Sequence, residues 1–310
     1  MKTSLERKRE RAGLYFVLPS MTIFTVFVFI PLIIAFIFSF FKFDMMFQNF
    51  QFQKLGNYAK LAGDKKFWNA LFNTVYYTAF TVPVQIGLAL VTAVAVKRKG
   101  WLSGFFKSVY FIPAICSMTI VSILWSFLVN PDIGMFCYWA KLLGFNPINV
   151  LSSPTWAMPT VILVSVWKTT WAMPTVILVS VWKNFGFNMV ILLAGLNGID
   201  ESYYEAANID GATGFQKFRG ITIPMLMPTL SFTVVNCIIG SFQVFDQVYI
   251  MTKGGPLFKT QTLVQLIYSM AFDSFNMGYA STIAVALFII TFIISVFTFK
   301  HMTKGEEDLG

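Results

Sequence analysis

The uncharged run from Leu14 to Phe41 is the feature that most constrains how this chain can fold. It exceeds the roughly 20 apolar residues that an α-helix needs to cross about 30 Å of hydrocarbon. A secretory signal peptide has a shorter apolar core and a small-residue cleavage site, so the run is predicted to be a retained membrane helix. The chain is therefore expected to fold in a bilayer.

Five further apolar segments have about the length of a membrane span, at 69–96, 108–129, 173–196, 223–245 and 278–299. Apolar residues make up 56% of the chain and charged residues only 12%, which is the composition of a membrane protein rather than of a soluble domain. The predicted fold class is an all-α integral membrane protein with six spans.

The distribution of lysine and arginine indicates the orientation. With the N-terminus inside, the inner segments hold thirteen basic residues and the outer segments eight, and all five arginines fall inside. We therefore expect a cytoplasmic basic N-terminus at 1–13, a membrane domain at 14–299 and a cytoplasmic C-terminal tail at 300–310. Topology explains the net charge of +9 better than nucleic-acid binding does.

A polar, small-residue segment, Asp200–Pro228, interrupts the apolar runs on the predicted inner side. Asp200 is placed to cap the start of a short helix, and Gly211 to end it, since glycine adopts positive φ without steric cost. Thr213 and Gln216 have the spacing of a capping box at a second start. The segment is predicted to form a helix, a glycine turn and a second helix.

The same segment resembles the EAA loop of binding-protein-dependent ABC importer permeases. The residues that match the motif are Glu205, Ala206, Ala207, Gly211, Ile221 and Pro224. The variant Asp210-Gly211-Ala212 is similar to the sugar-transporting branch. The resemblance runs from Leu14 to about Phe299 and implies the six-helix type I ABC importer permease fold.

In that family the EAA loop docks on the ATPase subunit. The docking residues implied here are Tyr204, Glu205, Ala206, Ala207, Asp210 and Gly211. The alternative is an amphipathic helix lying in the membrane interface. Such a helix would need large apolar residues where this one has two alanines beside Glu205.

The resemblance also implies the partners and the location. They are a second, homologous permease in a heterodimer, two ABC ATPases, an extracytoplasmic solute-binding protein and a sugar, at a bacterial inner membrane. The sequence has no glycine-rich phosphate loop with Lys-Ser/Thr, so ATP and Mg²⁺ are expected on the partner ATPase and no cofactor on this chain.

A translocation path needs polar groups within the spans, where they are costly unless they face a cavity or a partner. Ser180, Asn184 and Asn188 recur every four residues and share a helical face. With contacts carried over from the maltose-type relatives, the predicted path residues are Ser180, Lys183, Asn184, Phe187, Asn188, Cys237, Ser241 and Gln243. Alternatively, these groups only hydrogen-bond a neighbouring helix.

Two other classes of function fit the sequence less well. An ion-coupled secondary transporter or channel usually carries carboxylates or histidines within its spans, whereas here only Asp246 lies near a span end. A membrane-embedded enzyme would need a nucleophile–base pair or metal ligands. The chain has one histidine, His301 near the C-terminus, and three cysteines without paired spacing, so catalysis is not expected.

One segment is duplicated, since Thr155–Lys168 and Thr170–Lys183 are the same fourteen residues. Two separate spans would make seven helices and move Glu205 outside. A single helix over both copies would be about 57 Å long, far more than a bilayer needs. The second copy is therefore predicted to open the fourth span, with the first as an extra outer segment. Both a recent tandem duplication and an error in sequence assembly would produce this pattern.

The predicted orientation can be tested by cysteine labelling in intact cells. In a cysteine-free background, Lys65→Cys and Lys259→Cys should react with a membrane-impermeant thiol reagent because they lie outside. Lys217→Cys should react only after permeabilisation. Labelling of Lys217→Cys in intact cells would refute the topology and, with it, the docking role of the loop.

Overall fold

A computed structural model describes residues 4–46, 50–97, 101–128, 130, 134–142 and 157–307. In chain order the helices are α1 Ser4–Phe24, α2 Ile30–Phe38, α3 Gly56–Gly63, α4 Lys65–Lys97, α5 Trp101–Ile115, α6 Met118–Leu128, α7 Met135–Leu142, α8 Ala157–Asn197, α9 Glu201–Ile209, α10 Gly214–Lys217, α11 Ile223–Phe242, α12 Asp246–Met251, α13 Leu263–Tyr268 and α14 Met277–Glu307. Two short strands, β1 Phe41–Lys42 and β2 Gln51–Phe52, pair antiparallel. The basic turn at 98–100 and the chain ends at 1–3 and 308–310 lie outside the described residues.

Within that part of the chain, five helical stretches are long and apolar enough to cross a membrane. They are Gly13–Phe38, Lys65–Lys97, Ala172–Asn197, Gly214–Met251 and Met277–Met302. They coincide with five of the six predicted spans, and a bent helix pair at the predicted third span gives the sixth if it crosses as one unit.

The third predicted span, 108–129, contains a sharp break. The chain bends by 93° between Ser103–Ile115 and Met118–Leu128. Pro113 lies in the last turn before the break, where it removes a backbone donor and crowds the preceding carbonyl. The carbonyl of Ser117 accepts from the N–H of Val121 at 3.1 Å and starts α6.

The duplicated segment forms one helix rather than a span and a separate outer segment. α8 begins at Ala157, in the first copy, and runs unbroken through the second copy to Asn197 over 41 residues, which is about 60 Å at 1.5 Å per residue. The junction at Lys168–Thr170 contains neither glycine nor proline, so nothing in the sequence stops the helix there. The stretch apolar enough to span begins at Ala172, in the second copy as predicted.

The described residues fall into two compact units, residues 1–64 with 267–288 and residues 65–266 with 289–310. In the first unit the Asn57 side chain donates to the carbonyls of Ser39 and Phe41, each at 2.9 Å. The Tyr279 hydroxyl donates to an Asp64 carboxylate oxygen at 2.6 Å. These bonds tie the chain around the β hairpin to the start of α14.

The core of the second unit lies between α4, α8 and α11. One cluster of buried residues there consists of Ala89, Ala93, Met189, Leu192, Leu193, Leu196, Ile199 and Leu226. The two alanines are fully buried, and their small side chains allow the backbones of α4 and α8 to approach closely.

Gly186 shows how closely α5 and α8 approach. A Cβ at this position would lie 1.8 Å from the carbonyl oxygen of Tyr110. No side chain fits at that distance, so glycine is required for the contact. The Tyr110 and Phe185 rings then pack edge-to-face, with centroids 5.7 Å apart.

Deleting Thr155–Thr169 tests whether the bundle needs the first copy of the duplication. The deletion leaves the sequence from Thr170 onward intact, including the span and its packing residues, so membrane insertion and partner assembly should be retained. Both are measured by membrane fractionation and co-purification. The matched control removes Val181–Gly195, an equal length from the packed part of α8, and should abolish assembly. Loss of assembly in the first deletion would place the first copy in the bundle.

Candidate functional site

A cavity of about 190 Å³ lies between α4, α8, α11 and α12 in the second unit. Its lining residues are Tyr77, Thr81, Gln85, Asn184, Phe187, Asn188, Asn236, Cys237, Gly240, Ser241 and Gln247. Most carry uncharged hydrogen-bonding groups, which are rare within spans unless they serve a partner or a ligand.

Five of the predicted path residues meet at this cavity, although they come from two helices. Asn184, Phe187 and Asn188 come from α8, and Cys237 and Ser241 from α11. Phe187 is 46% exposed, whereas Asn188 is 2% exposed. The wall therefore combines an accessible aromatic ring with buried amide, hydroxyl and thiol groups. That they form the substrate path stays a prediction.

The three remaining path residues do not line the cavity. Ser180 is fully buried behind the lining residue Gln247, and its hydroxyl donates to the Val176 carbonyl at 2.8 Å. Lys183 is partly buried on α8 outside the lining. Gln243 follows α11 as its C-terminal cap and is exposed.

A third wall comes from α4, which the sequence interpretation left out. Tyr77, Thr81 and Gln85 line the cavity at four-residue intervals. The spacing puts them on one face of the helix, and it was readable from the sequence as a polar stripe in the second span. The Thr81 hydroxyl has no hydrogen-bond partner of normal geometry among the described residues.

Gln247 holds one end of the cavity together. Its side-chain Nε2 donates to the Tyr77 hydroxyl and to Ser180 Oγ, each at 3.0 Å. These bonds join α12 to α4 and α8 in a buried network. Because each buried donor in such a network is costly to leave unpaired, the network fixes the positions of the three helices.

A second set of contacts joins α4 and α8 to α11 at Cys237. Asn188 Nδ2 donates to Cys237 Sγ at 3.1 Å, and Gln85 Nε2 lies 3.8 Å from the same sulfur. A thiol is a weak acceptor. Both amides therefore keep hydrogen-bonding capacity for a hydroxyl in the cavity.

The cavity is electrically neutral, since among the described residues no charged side chain lines it. An anionic ligand would lose its hydration there without gaining a counter-ion. Neutral polar groups instead match a ligand that both donates and accepts hydrogen bonds. The chemistry favours an uncharged polyhydroxyl compound.

At the other functional region, α9 begins as the sequence predicted. The backbone N–H of Ser202 donates to Asp200 Oδ1 at 2.9 Å, which confirms the N-cap. This hydrogen bond holds the pKa of the exposed Asp200 carboxyl below its usual value. The capping box between Thr213 and Gln216 is also present at the start of α10.

The predicted glycine turn is present as well. Gly211 has φ +73°, and the N–H of Ala212 donates to the Ala207 carbonyl at 2.9 Å, the 6→1 bond of a Schellman turn. The Lys217 ammonium donates to the Asn208 side-chain oxygen across this turn. The α9–α10 pair is therefore a defined element rather than a loose linker.

The implied docking residues fall on two sides of α9. Glu205 and Ala206 on the helix, and Asp210 and Gly211 after it, are exposed. Tyr204 and Ala207 are partly buried, on the side that faces the spans. Two large apolar side chains in this region, Ile209 and Phe215, are 88% and 70% exposed, and sequence interpretation did not single them out. Such residues are typical of an interaction surface.

A bundle of membrane helices around a neutral polar cavity, with a capped helical pair exposed at one end, is the architecture of a transport permease. The family model described as binding-protein-dependent transport system inner membrane component matches residues 55–302. The chain belongs to this family. It is thus a multi-pass inner-membrane permease of an ABC importer. The family is one of transport subunits and not of enzymes. Nothing supports the alternative of an ion-coupled transporter or channel.

The relatives match most of the chain. The lactose transport system permease protein LacF of Rhizobium radiobacter is 33% identical, covering 99% of this chain and 98% of that protein. The trehalose/maltose transport system permease protein MalF of Thermococcus litoralis is 29% identical, covering 99% and 97%. The sn-glycerol-3-phosphate transport system permease protein UgpA of Agrobacterium fabrum is 31% identical, covering 82% and 81%.

A solved structure shares the fold. A chain of a bacterial ABC transporter that imports the acidic polysaccharide alginate superposes with a TM-score of 0.77 at 20% identity, covering 96% of both chains. The six-helix importer permease fold predicted from the sequence is confirmed.

Proposed function

We propose that this permease carries a neutral sugar through the cavity between α4, α8 and α11. The neutral, hydroxyl-matching lining is the observation that supports this proposal. Phe187 offers an aromatic ring for the apolar face of a sugar, and Asn184, Asn188 and Ser241 offer hydrogen bonds to its hydroxyls. The volume is that of about six liquid waters, which is on the scale of one sugar ring.

The relatives name both neutral and anionic substrates, and the lining discriminates between them. LacF and MalF are named for lactose and for trehalose and maltose, and UgpA for sn-glycerol 3-phosphate. A phosphate would need a cation or several aimed N–H groups in a site of this kind. The uncharged lining therefore favours the sugars.

The proposed assembly follows the resemblance. This chain pairs with a second, homologous permease, and two ATPase subunits hold the ATP and Mg²⁺, so the chain itself binds no cofactor. The binding protein delivers the sugar on the outer side. The excess of basic residues supports a cytoplasmic location for both termini and for the α9–α10 pair.

In the proposed mechanism, ATP binding closes the two ATPases and draws the docked α9 helices together. The movement opens the cavity toward the binding protein as a rigid-body change. The capped and hydrogen-bonded form of the α9–α10 pair supports this role, because a loose loop would absorb the displacement.

Asn184→Ala and Ser241→Ala should each weaken sugar transport without loss of assembly. A hydrogen bond between neutral groups contributes about 0.5–1.5 kcal/mol, so the expected change is several-fold rather than total. Uptake of lactose, trehalose and maltose is measured in cells, with sn-glycerol 3-phosphate as the anionic comparison.

Gln243→Ala is the matched control, since Gln243 is exposed at the end of α11 and should leave uptake unchanged. Wild-type uptake kinetics in both cavity variants would favour a purely structural role for these groups. Preferential uptake of sn-glycerol 3-phosphate would contradict the neutral-sugar proposal.

Gly211→Val and Glu205→Lys should release or uncouple the ATPase while the permease stays in the membrane. A residue with a Cβ loses about 1 kcal/mol or more at the positive φ of Gly211 and misdirects the following helix. The lysine places a cation where the partner is proposed to accept a carboxylate. ATPase pull-down and transport-coupled ATP hydrolysis are measured.

Gly214→Val supplies the control in the same segment. A Cβ at Gly214 meets nothing within 4 Å and its backbone is helical, so association should be retained. If Gly211→Val and Glu205→Lys also keep wild-type association and coupling, the α9–α10 pair is only a linker.

A further inference from the structure

The side chain of Tyr204 separates from the rest of the implied docking surface. Along α9, only Tyr204 and Ala207 are partly buried and every other residue is exposed. Their spacing of three puts them on one side of the helix, opposite the free surface. Tyr204 thus points toward the spans of its own chain.

Three kinds of contact hold Tyr204 there. Its hydroxyl is 3.0 Å from Thr222 Oγ1, at the start of α11. The Lys97 ammonium, at the end of α4, lies 4.7 Å from the centroid of its ring. The ring also packs against the buried cluster that α4, α8 and α11 form together.

Tyr204 therefore contacts the end of α4 and the start of α11 directly, and α8 through the shared cluster. These three helices supply most of the cavity wall. Thr222 is buried and is the last residue of the π-helical turn that leads into α11. A displacement of α9 therefore cannot leave α4, α8 and α11 in place without breaking the Tyr204 contacts.

We propose that Tyr204 is the residue through which movement of α9 is passed to the cavity-forming helices, and that it makes no contact with the ATPase. Tyr204 is thus a positioning residue. The inference rests on the proposed docking of α9, but it does not depend on which substrate is carried.

The test follows the cavity directly through Cys237, a natural thiol in its wall. The assembled complex with its ATPases is used, carrying C116S and C137S so that Cys237 is the one remaining thiol in this chain. The rate of Cys237 alkylation by N-ethylmaleimide is measured with and without ATP and Mg²⁺, and no sugar is added. The ATP-dependent change in rate reports coupling, whereas a merely structural defect would alter the rate without ATP.

Tyr204→Phe removes the hydroxyl and keeps the ring, and Thr222→Val removes the other partner at equal shape. Each should reduce the ATP-dependent change about twofold to tenfold, as expected for one lost hydrogen bond. The double variant should lose no more than either single one, because the two side chains act through one bond. ATPase pull-down should stay at the wild-type level.

Tyr203→Phe is the matched control, the same chemical change one residue away on a side chain that is 52% exposed. It should keep the full ATP-dependent change. The inference is overturned if Tyr204→Phe behaves like Tyr203→Phe, or if ATP leaves the wild-type rate unchanged. Release of the ATPase by Tyr204→Ala but not by Tyr203→Ala would make Tyr204 a docking residue instead. If the wild-type complex fails to transport any of the sugars, that result contradicts the proposed substrate and not the role of Tyr204, because the alkylation assay contains no sugar.

Discussion

Inside a bilayer a polar side chain must find its partners within the protein, and the Gln247 amide shows how this chain meets that constraint. Its two donated bonds reach Tyr77 on α4 and Ser180 on α8. In hydrocarbon no water replaces a lost partner, so the three helices can separate only at the cost of unpaired groups. The cavity next to this network can therefore be polar and still have fixed walls.

The division of labour between buried polar residues follows from this. Ser180, Tyr77 and Gln247 satisfy one another and hold the frame, whereas Thr81 and the amides around Cys237 have unused hydrogen-bonding capacity toward the cavity. Residue type does not distinguish the residues that hold the frame from those with unused hydrogen-bonding capacity. They differ in whether a neighbouring helix supplies a partner, which is a property of the packing.

This also explains how much could be predicted from the sequence. Span positions and helix caps depend on local composition and spacing, so the Asp200 cap, the Gly211 turn and five spans were predicted correctly. The polar stripe on α8 brought Asn184 and Asn188 to the cavity because helical periodicity alone places them. Gln243 does not line the cavity because α11 ends at Phe242, before it. The α4 stripe was not predicted because the resemblance pointed to contacts on the two spans that flank the EAA loop. The 93° break between α5 and α6 and the unbroken course of α8 depend on how each segment packs against the other helices. That packing cannot be read from the sequence of the segment alone.

The distance between the two functional regions decides how they can influence each other. On α8 the cavity residue Asn188 and the cluster residue Leu196 are eight residues apart, about 12 Å along the axis. On α11 the separation between Thr222 and Cys237 is about 22 Å. Both intervals are α-helical apart from the π-helical turn that ends at Thr222. Packed helices shift as rigid rods rather than deforming continuously. A displacement at the α9 end of the bundle would therefore reach the cavity as a change in the angle or spacing of whole helices. The cavity wall is shared between α4, α8 and α11. Tyr204 bonds to the start of α11, lies beside the end of α4 and packs against the cluster that all three helices share, so it is the residue that we propose makes them move together.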